Sequence, residues 1–187
     1  DSSQAKDVIW GNDSGPTGRP VSMWSFVVEK LYFDRGTHGQ KRTNLLIHLV
    51  CGTILVLLFY ALLSHRNYDG AVEISLVLAA YWLLSPMFVS TVLYTIQRMA
   101  QLAALFMLSS LLVYCVWRIR WLRGRNGWYI LPVLPLLVGL SIFSKENGIV
   151  ILPILVLLEI FWFEFVGRDG NVDERFKRAS FTATPLS

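Results

Sequence analysis

The chain of 187 residues is 54% hydrophobic and only 16% charged. Soluble domains carry about 25% charged residues, so this composition excludes a soluble enzyme and indicates a polytopic membrane protein. The net charge of +4 does not indicate nucleic-acid binding. Its Lys and Arg residues cluster beside apolar segments, where such residues set membrane topology and contact anionic lipid.

The first 43 residues form a polar region that is rich in loop-forming Gly and Pro. Within it, residues 21–33 are apolar with a few polar positions. This spacing predicts an interfacial helix that lies along the membrane surface. Because the chain opens on a polar stretch without the pattern of a signal peptide, we expect it to be a piece that begins after an upstream membrane segment.

Five apolar stretches follow, at 44–63, 71–84, 99–117, 128–143 and 148–166. A hydrocarbon core of about 30 Å needs roughly 20 apolar residues in a helix. Backbone in lipid must also satisfy its own hydrogen bonds. The sequence therefore predicts an all-α bundle of about five transmembrane helices. The second and fourth stretches are short, so we expect them to be tilted, kinked or longer than their apolar part. Residues 167–187 form a polar tail.

Charge at the loops predicts the orientation of this bundle. With five spans, the side of 167–187 receives most of the loop and tail cations: Arg66, Arg118, Arg120, Arg123, Arg125, Arg168, Arg175, Lys177 and Arg178. The excess marks that side as cytoplasmic and places residues 1–43 on the extracytoplasmic side. The N-terminal region carries six cations that oppose this orientation, but the rule applies best to short loops.

This topology places three polar motifs at the extracytoplasmic boundary: residues 15–26, 85–98 and 144–148. They contain Arg19, Gln97 with Arg98, and Lys145 with Glu146. Taken alone, each has an ordinary explanation, namely a loop cation, a snorkelling arginine and a solvated turn. The functional alternative is a set of cations and amides that binds a phosphate.

A few polar residues fall inside the apolar stretches. Asn44 and His48 lie four residues apart on one helix face, where we expect hydrogen bonds between helices. Glu159 is predicted to be buried and hydrogen-bonded or protonated, although it also suits a proton or ion path. Cys51 and Cys115 indicate neither a disulfide framework nor a metal site.

Four segments resemble the GT-C class of polytopic membrane glycosyltransferases, and are closest to bacterial relatives of the transmembrane-and-tetratricopeptide-repeat O-mannosyltransferases. They occur in the family's order. They read GPTGRPVSMWSF, KRTNLLIHLVCGTILVLLFYALL, SPMFVSTVLYTIQRMAQLAALFMLSSLLVY and LSIFSKENGIVILPILVLLEIFWF. No single segment is specific, but together they span most of residues 10–166.

The resemblance implies an enzyme of the bacterial cytoplasmic membrane that moves a sugar from a polyprenyl-phosphate carrier to an acceptor. The acceptor is a protein hydroxyl, a lipid or a glycan on the extracytoplasmic face. Arg98 with Gln97, Lys145 with Glu146, and more weakly Arg19 are the donor-phosphate candidates that it implies. No other cofactor is implied, and the partners are membrane lipid, the lipid-linked sugar and the acceptor.

The sequence also differs from the family's pattern at several points. The family's catalytic carboxylate follows a first span that these residues lack, so the general base is expected upstream of residue 1. Ser85-Pro86 stands where the family often has His-Pro. The chain is therefore expected to be inactive alone. The alternatives are a transporter or flippase subunit for an anionic or lipid-linked substrate, which Glu159 suggests, and a non-catalytic membrane scaffold.

Overall fold

The computed structural model describes residues 19–32 and 36–166, and those residues are helical with short connections. The α-helices are α1 (Pro20–Tyr32), α2 (Gly36–His65), α3 (Ala71–Leu83), α4 (Val89–Leu93), α5 (Arg98–Leu122), α6 (Val133–Ser144) and α7 (Ile151–Leu158). The 3₁₀ turns are Pro86–Phe88, Thr95–Gln97, Trp128–Ile130 and Glu146–Val150, and a π-helical turn, Glu159–Phe163, continues α7.

Within the described residues, three helical stretches are long and apolar enough to cross a membrane: Gly39–His65, Thr95–Leu122 and Glu146–Phe163. A fourth crossing, Ala71–Leu83 with Pro86–Leu93, is bent by 46° and is either a broken span or a re-entrant loop. The apolar stretch Trp128–Ser144 is shorter. The predicted all-helical architecture is confirmed for the described residues, which hold three to four candidate spans where the sequence predicted five.

The helices differ from the predicted stretches mainly at their ends. α2 begins at Gly36 and α5 ends at Leu122, both beyond the apolar runs that predicted them. Residues 85–98, expected as a loop, contain α4 and two 3₁₀ turns. The reason is physical, because helical hydrogen bonds do not require lipid around them, so a hydropathy boundary does not end a helix.

The helices pack around one hydrophobic cluster. Its buried members are Leu58, Leu111, Cys115, Ile119, Ile151 and Phe163. α2, α5 and α7 run in the same direction, since Arg98 bonds to Asn44 near one end of the bundle and Arg118 bonds to Glu159 near the other. α6 runs the opposite way, with the Ser141 Oγ donating to the Ala103 carbonyl at 3.0 Å.

The bent crossing has its free carbonyls satisfied by side chains from other helices. The His48 Nε2 lies 3.2 Å from the Leu83 carbonyl, where α3 ends. The Asn44 Nδ2 donates to the carbonyl of Tyr94 at 3.2 Å, and the Gln101 Nε2 donates to that of Thr91 at the same distance. The predicted hydrogen bonds of Asn44 and His48 between helices are confirmed. Such bonds are what allow an interrupted helix at membrane depth.

Candidate functional site

The described parts of the three polar motifs, residues 19–26, 85–98 and 144–148, meet at one end of the bundle. The start of α1 joins the turn after α6, because the Ser22 Oγ donates to the Ser144 carbonyl at 2.8 Å. The segment before α5 joins α2 through the bond from Asn44 to Tyr94. Four of the five predicted site residues, Arg19, Arg98, Lys145 and Glu146, are therefore held on a common scaffold.

Arg19 and Glu146 form a two-pronged ion pair across 127 residues of sequence. The Arg19 Nε donates to one carboxylate oxygen at 3.2 Å and its Nη2 donates to the other at 3.1 Å. The Arg19 Nη1 lies 3.6 Å from the Met99 sulfur of α5. Both side chains of the pair remain partly exposed. Glu146 neutralises the charge of Arg19, so this pair fastens the chain before α1 to the turn before α7.

Lys145 differs from its neighbours because its ammonium has no hydrogen bond or ion pair within 19–32 and 36–166. The residue has an extended backbone between α6 and the turn Glu146–Val150. It lines a small cavity of about 130 Å³ with Asn147 and Gly148. The opposite wall is a stripe on α5: Ala100, Ala103, Ala104 and Met107. An unpaired cation beside a small cavity is able to meet an anion.

Gly148 makes this close approach possible. A Cβ at this position would lie 2.4 Å from the carbonyl carbon and oxygen of Ser141, which is backbone that cannot move aside. The turn therefore packs directly on α6, and it holds Lys145 at the mouth of the cavity.

Arg98 is fully buried, and every contact that the structure gives its guanidinium is with protein. It forms an ion pair with Glu29 of α1 and donates from Nε to the Asn44 Oδ1 at 3.0 Å. Its Nη2 donates to the Gln40 carbonyl at 3.2 Å, and its charge lies 4.5 Å from the centre of the Phe26 ring. Arg98 thus joins α1, α2 and α5, while its role toward a donor phosphate stays a prediction.

Glu29 is the residue that sequence reasoning missed. It is buried, and its carboxylate also accepts a hydrogen bond from the Thr43 Oγ1 at 2.7 Å. One feature of the sequence could have identified it, because Glu29 is the one acidic residue of the apolar helix α1. A carboxylate buried in such a helix requires a cation, and Arg98 supplies it.

Gln97 ends the 3₁₀ turn before α5 and is partly buried. Its backbone N–H donates to the Tyr94 carbonyl at 3.0 Å. Its side-chain amide has no hydrogen-bond partner within the described segments, so it stands beside Arg98 without joining the buried network.

Glu159 lies far from these residues, near the opposite end of the bundle. The Arg118 Nε donates to both of its carboxylate oxygens, at 2.9 and 3.1 Å, and the Tyr114 hydroxyl donates to one of them. Arg118 also donates from Nη2 to the Val166 carbonyl at 3.0 Å. The prediction that Glu159 is buried and hydrogen-bonded is confirmed.

Among the residues described, no three His, Cys, Asp or Glu side chains are placed to hold a metal ion. The upper end, which is the end that holds Arg19 and Lys145, presents cations, the amide of Gln97 and two carboxylates that are paired with arginines. No protein-family model, curated protein or solved structure matches the chain.

Proposed function

We propose that the end of the bundle around Lys145 binds the phosphate of a polyprenyl-phosphate sugar donor. The full-length protein is then a GT-C class glycosyltransferase of a bacterial cytoplasmic membrane. It transfers the sugar to a protein hydroxyl, a lipid or a glycan on the extracytoplasmic face, where residues 1–43 lie, with 167–187 in the cytoplasm. The ordered resemblance of four segments supports this proposal, and so does the gathering of the same motifs at one end.

One observation carries the assignment of the site. Of the four charged residues named from the sequence, Arg19, Arg98 and Glu146 form close ion pairs, whereas the Lys145 ammonium forms no ion pair or hydrogen bond among the described residues and acts on Glu146 only through its charge. Burying a cation, even in part, costs free energy unless a partner or a ligand compensates its charge. Lys145 is partly buried beside a cavity at the start of the candidate span Glu146–Phe163. A lipid-borne phosphate reaches that depth.

The other residues have supporting roles in this proposal. The pair of Arg19 and Glu146 fixes the turn that carries Lys145, and Gln97 offers an amide donor at the start of α5. During transfer the carrier phosphate leaves with increasing negative charge, and a fixed cation stabilises that charge more than it stabilises the ground state. The general base that deprotonates the acceptor is assigned to no residue of this chain.

Sugar transfer by the full-length protein in membranes tests this proposal. Lys145→Ala is expected to lower transfer about tenfold or more, since one charge-assisted hydrogen bond is worth about 1.5–3 kcal/mol. Lys145→Arg keeps the charge and should retain part of the activity. Lys30→Ala is the matched control, because Lys30 is an exposed lysine on α1.

Equal transfer by wild type and Lys145→Ala would overturn the site. Arg98→Ala is a poor test, because it removes the partner of buried Glu29 and so lowers folding as well as activity. The same membrane preparation distinguishes the two alternatives. A transporter would move substrate across the membrane without sugar transfer, and a scaffold would do neither. Glu159 suggested a transporter because an ionised carboxylate in an apolar stretch is costly. Its ion pair with Arg118 explains its presence there without a transport path.

A further inference from the structure

A second, larger cavity lies against the bent crossing. It is open to the surface and measures about 700 Å³ between Lys41, near the start of α2, and the segment from Pro86 to Thr95. This volume is within the range of about 300–1,000 Å³ that is typical of small-molecule sites. Lys41 and Thr95 stand at or near the first residues of two candidate spans, Gly39–His65 and Thr95–Leu122. The cavity therefore lies at the level where lipid head groups meet the bundle.

The polar part of this cavity is suited to an anion. Among the described residues that line it, Lys41 is the one charged residue and none is acidic. Within the described part of the chain, the Lys41 ammonium has no hydrogen bond or ion pair. Three residues that carry hydroxyls, Ser90, Tyr94 and Thr95, also line it. Their side chains likewise have no partner among the described residues, so each is free to donate to a phosphate oxygen.

The apolar part is suited to a lipid tail. Pro86, Val89 and Leu93 line the same cavity. Val89 and Leu93 each expose about half of their surface, and Met87 beside them exposes 81%. Apolar side chains with that exposure at a membrane boundary are in contact with lipid. An acyl chain that leaves the cavity along this wall remains in an apolar environment.

The walls are fixed before any ligand arrives. The carbonyl of Tyr94 is bonded to Asn44, and that of Thr91 to Gln101. Arg98 in turn holds Asn44 from α5. A site whose backbone is held by buried side chains loses little conformational entropy when it binds a ligand.

We propose that this cavity binds the phosphate of an anionic glycerophospholipid, with Lys41 and the three hydroxyls on the phosphate and the acyl chain along Val89 and Leu93. A zwitterionic head group fits less well, because its ammonium would find no carboxylate in the lining. This site is separate from the one around Lys145, and the inference does not depend on the proposed function.

Native mass spectrometry of the detergent-purified chain tests the site, with dioleoyl phosphatidylglycerol and dioleoyl phosphatidylcholine as probes. We expect the wild type to retain phosphatidylglycerol in preference to phosphatidylcholine. Lys41→Ala should weaken phosphatidylglycerol binding about tenfold, as loss of one charge-assisted contact implies. Lys41 is exposed, so this variant should fold. Lys30→Ala is the matched control, because Lys30 is an exposed lysine that lines neither cavity, and this variant should bind the lipid as the wild type does.

Ser90→Trp provides a second test that leaves Lys41 in place. The indole fills the cavity, so phosphatidylglycerol binding should fall although the surface charge is unchanged. Equal binding of the two lipids, or unchanged binding by both Lys41→Ala and Ser90→Trp, would overturn the proposal. So would displacement of phosphatidylglycerol by a polyprenyl phosphate that depends on Lys145, because the lipid would then belong to the other site.

Discussion

At the scale of single residues, Gly148 sets how closely the turn before α7 approaches α6. A methyl group there would collide with the Ser141 backbone at 2.4 Å. Gly148→Ala is therefore expected to lower the free energy of unfolding by about 1–3 kcal/mol, the usual cost of overpacking. Gly139 is the control, since a Cβ there has nothing within 4 Å.

Unfolding in mixed detergent micelles measures both variants. Gly139→Ala should be neutral or more stable by about 0.5–1 kcal/mol, because Gly lies within α6 and Ala is the better helix former. If both variants lose the same stability, the close approach of Gly148 to Ser141 is not the cause of the loss in Gly148→Ala.

Residue type alone does not tell which polar residues are free and which are paired. Arg98 and Lys145 both read as isolated cations at a membrane boundary, and the sequence supported the same two interpretations for each. The structure separates them, because Arg98 is buried in an ion pair with Glu29, while Lys145 forms no ion pair or hydrogen bond among the described residues. The partner of Arg98 lies 69 positions earlier in the chain. No local pattern reveals a contact of that range.

At the scale of elements, the bent crossing depends on side chains of α2 and α5 for its hydrogen bonds. Asn44→Ala removes the donor to Tyr94 and the acceptor of Arg98 at once. Each buried polar group left without a partner costs about 1–3 kcal/mol, so this variant should be clearly less stable than wild type. Hydrogen exchange should rise between Val92 and Gln97, where the backbone loses its anchor.

Asn126→Ala is the control for that experiment, because Asn126 is exposed in the connection after α5. Unchanged exchange at 92–97 in Asn44→Ala would mean that the interruption is held by other contacts.

At the scale of elements, hydropathy predicts the long helices but not the position where the bent crossing is interrupted. Long apolar runs such as Gly39–His65 were predictable, because lipid requires apolar side chains over a fixed length. The second stretch was expected to be tilted, kinked or longer, but the position of the break at Ser85 was not predicted, since residues 85–98 were expected to be a loop and instead contain α4 and two 3₁₀ turns. What allows helical turns there is a set of polar groups on other helices, which lies outside any local window.

At the scale of the whole molecule, the lower end, opposite Arg19 and Lys145, is joined by the ion pair of Arg118 and Glu159. Arg118→Met leaves a buried carboxylate without its cation and should cost about 3–5 kcal/mol of unfolding free energy. The double variant Arg118→Met/Glu159→Gln removes both buried charges of this pair and keeps an acceptor for Tyr114, so it should recover most of that loss.

The exposed pair of Arg66 and Glu164 is the matched control. Glu164→Gln should cost about 1 kcal/mol or less, because water already solvates both partners. A double variant at the buried pair that is as unstable as Arg118→Met alone would show that charge pairing is not the source of the effect.

The polar network of the bent crossing also sets an order of assembly during synthesis. Asn44 precedes the interrupted segment in the chain, so the carbonyl of Tyr94 emerges when its donor is already in the membrane. The carbonyl of Thr91 has to wait for Gln101, which is made later. Since chains fold from the N-terminus as they are made, this end of the bundle is completed only after α5 has entered the membrane. Ribosome stalling just before α5 should leave it unfinished.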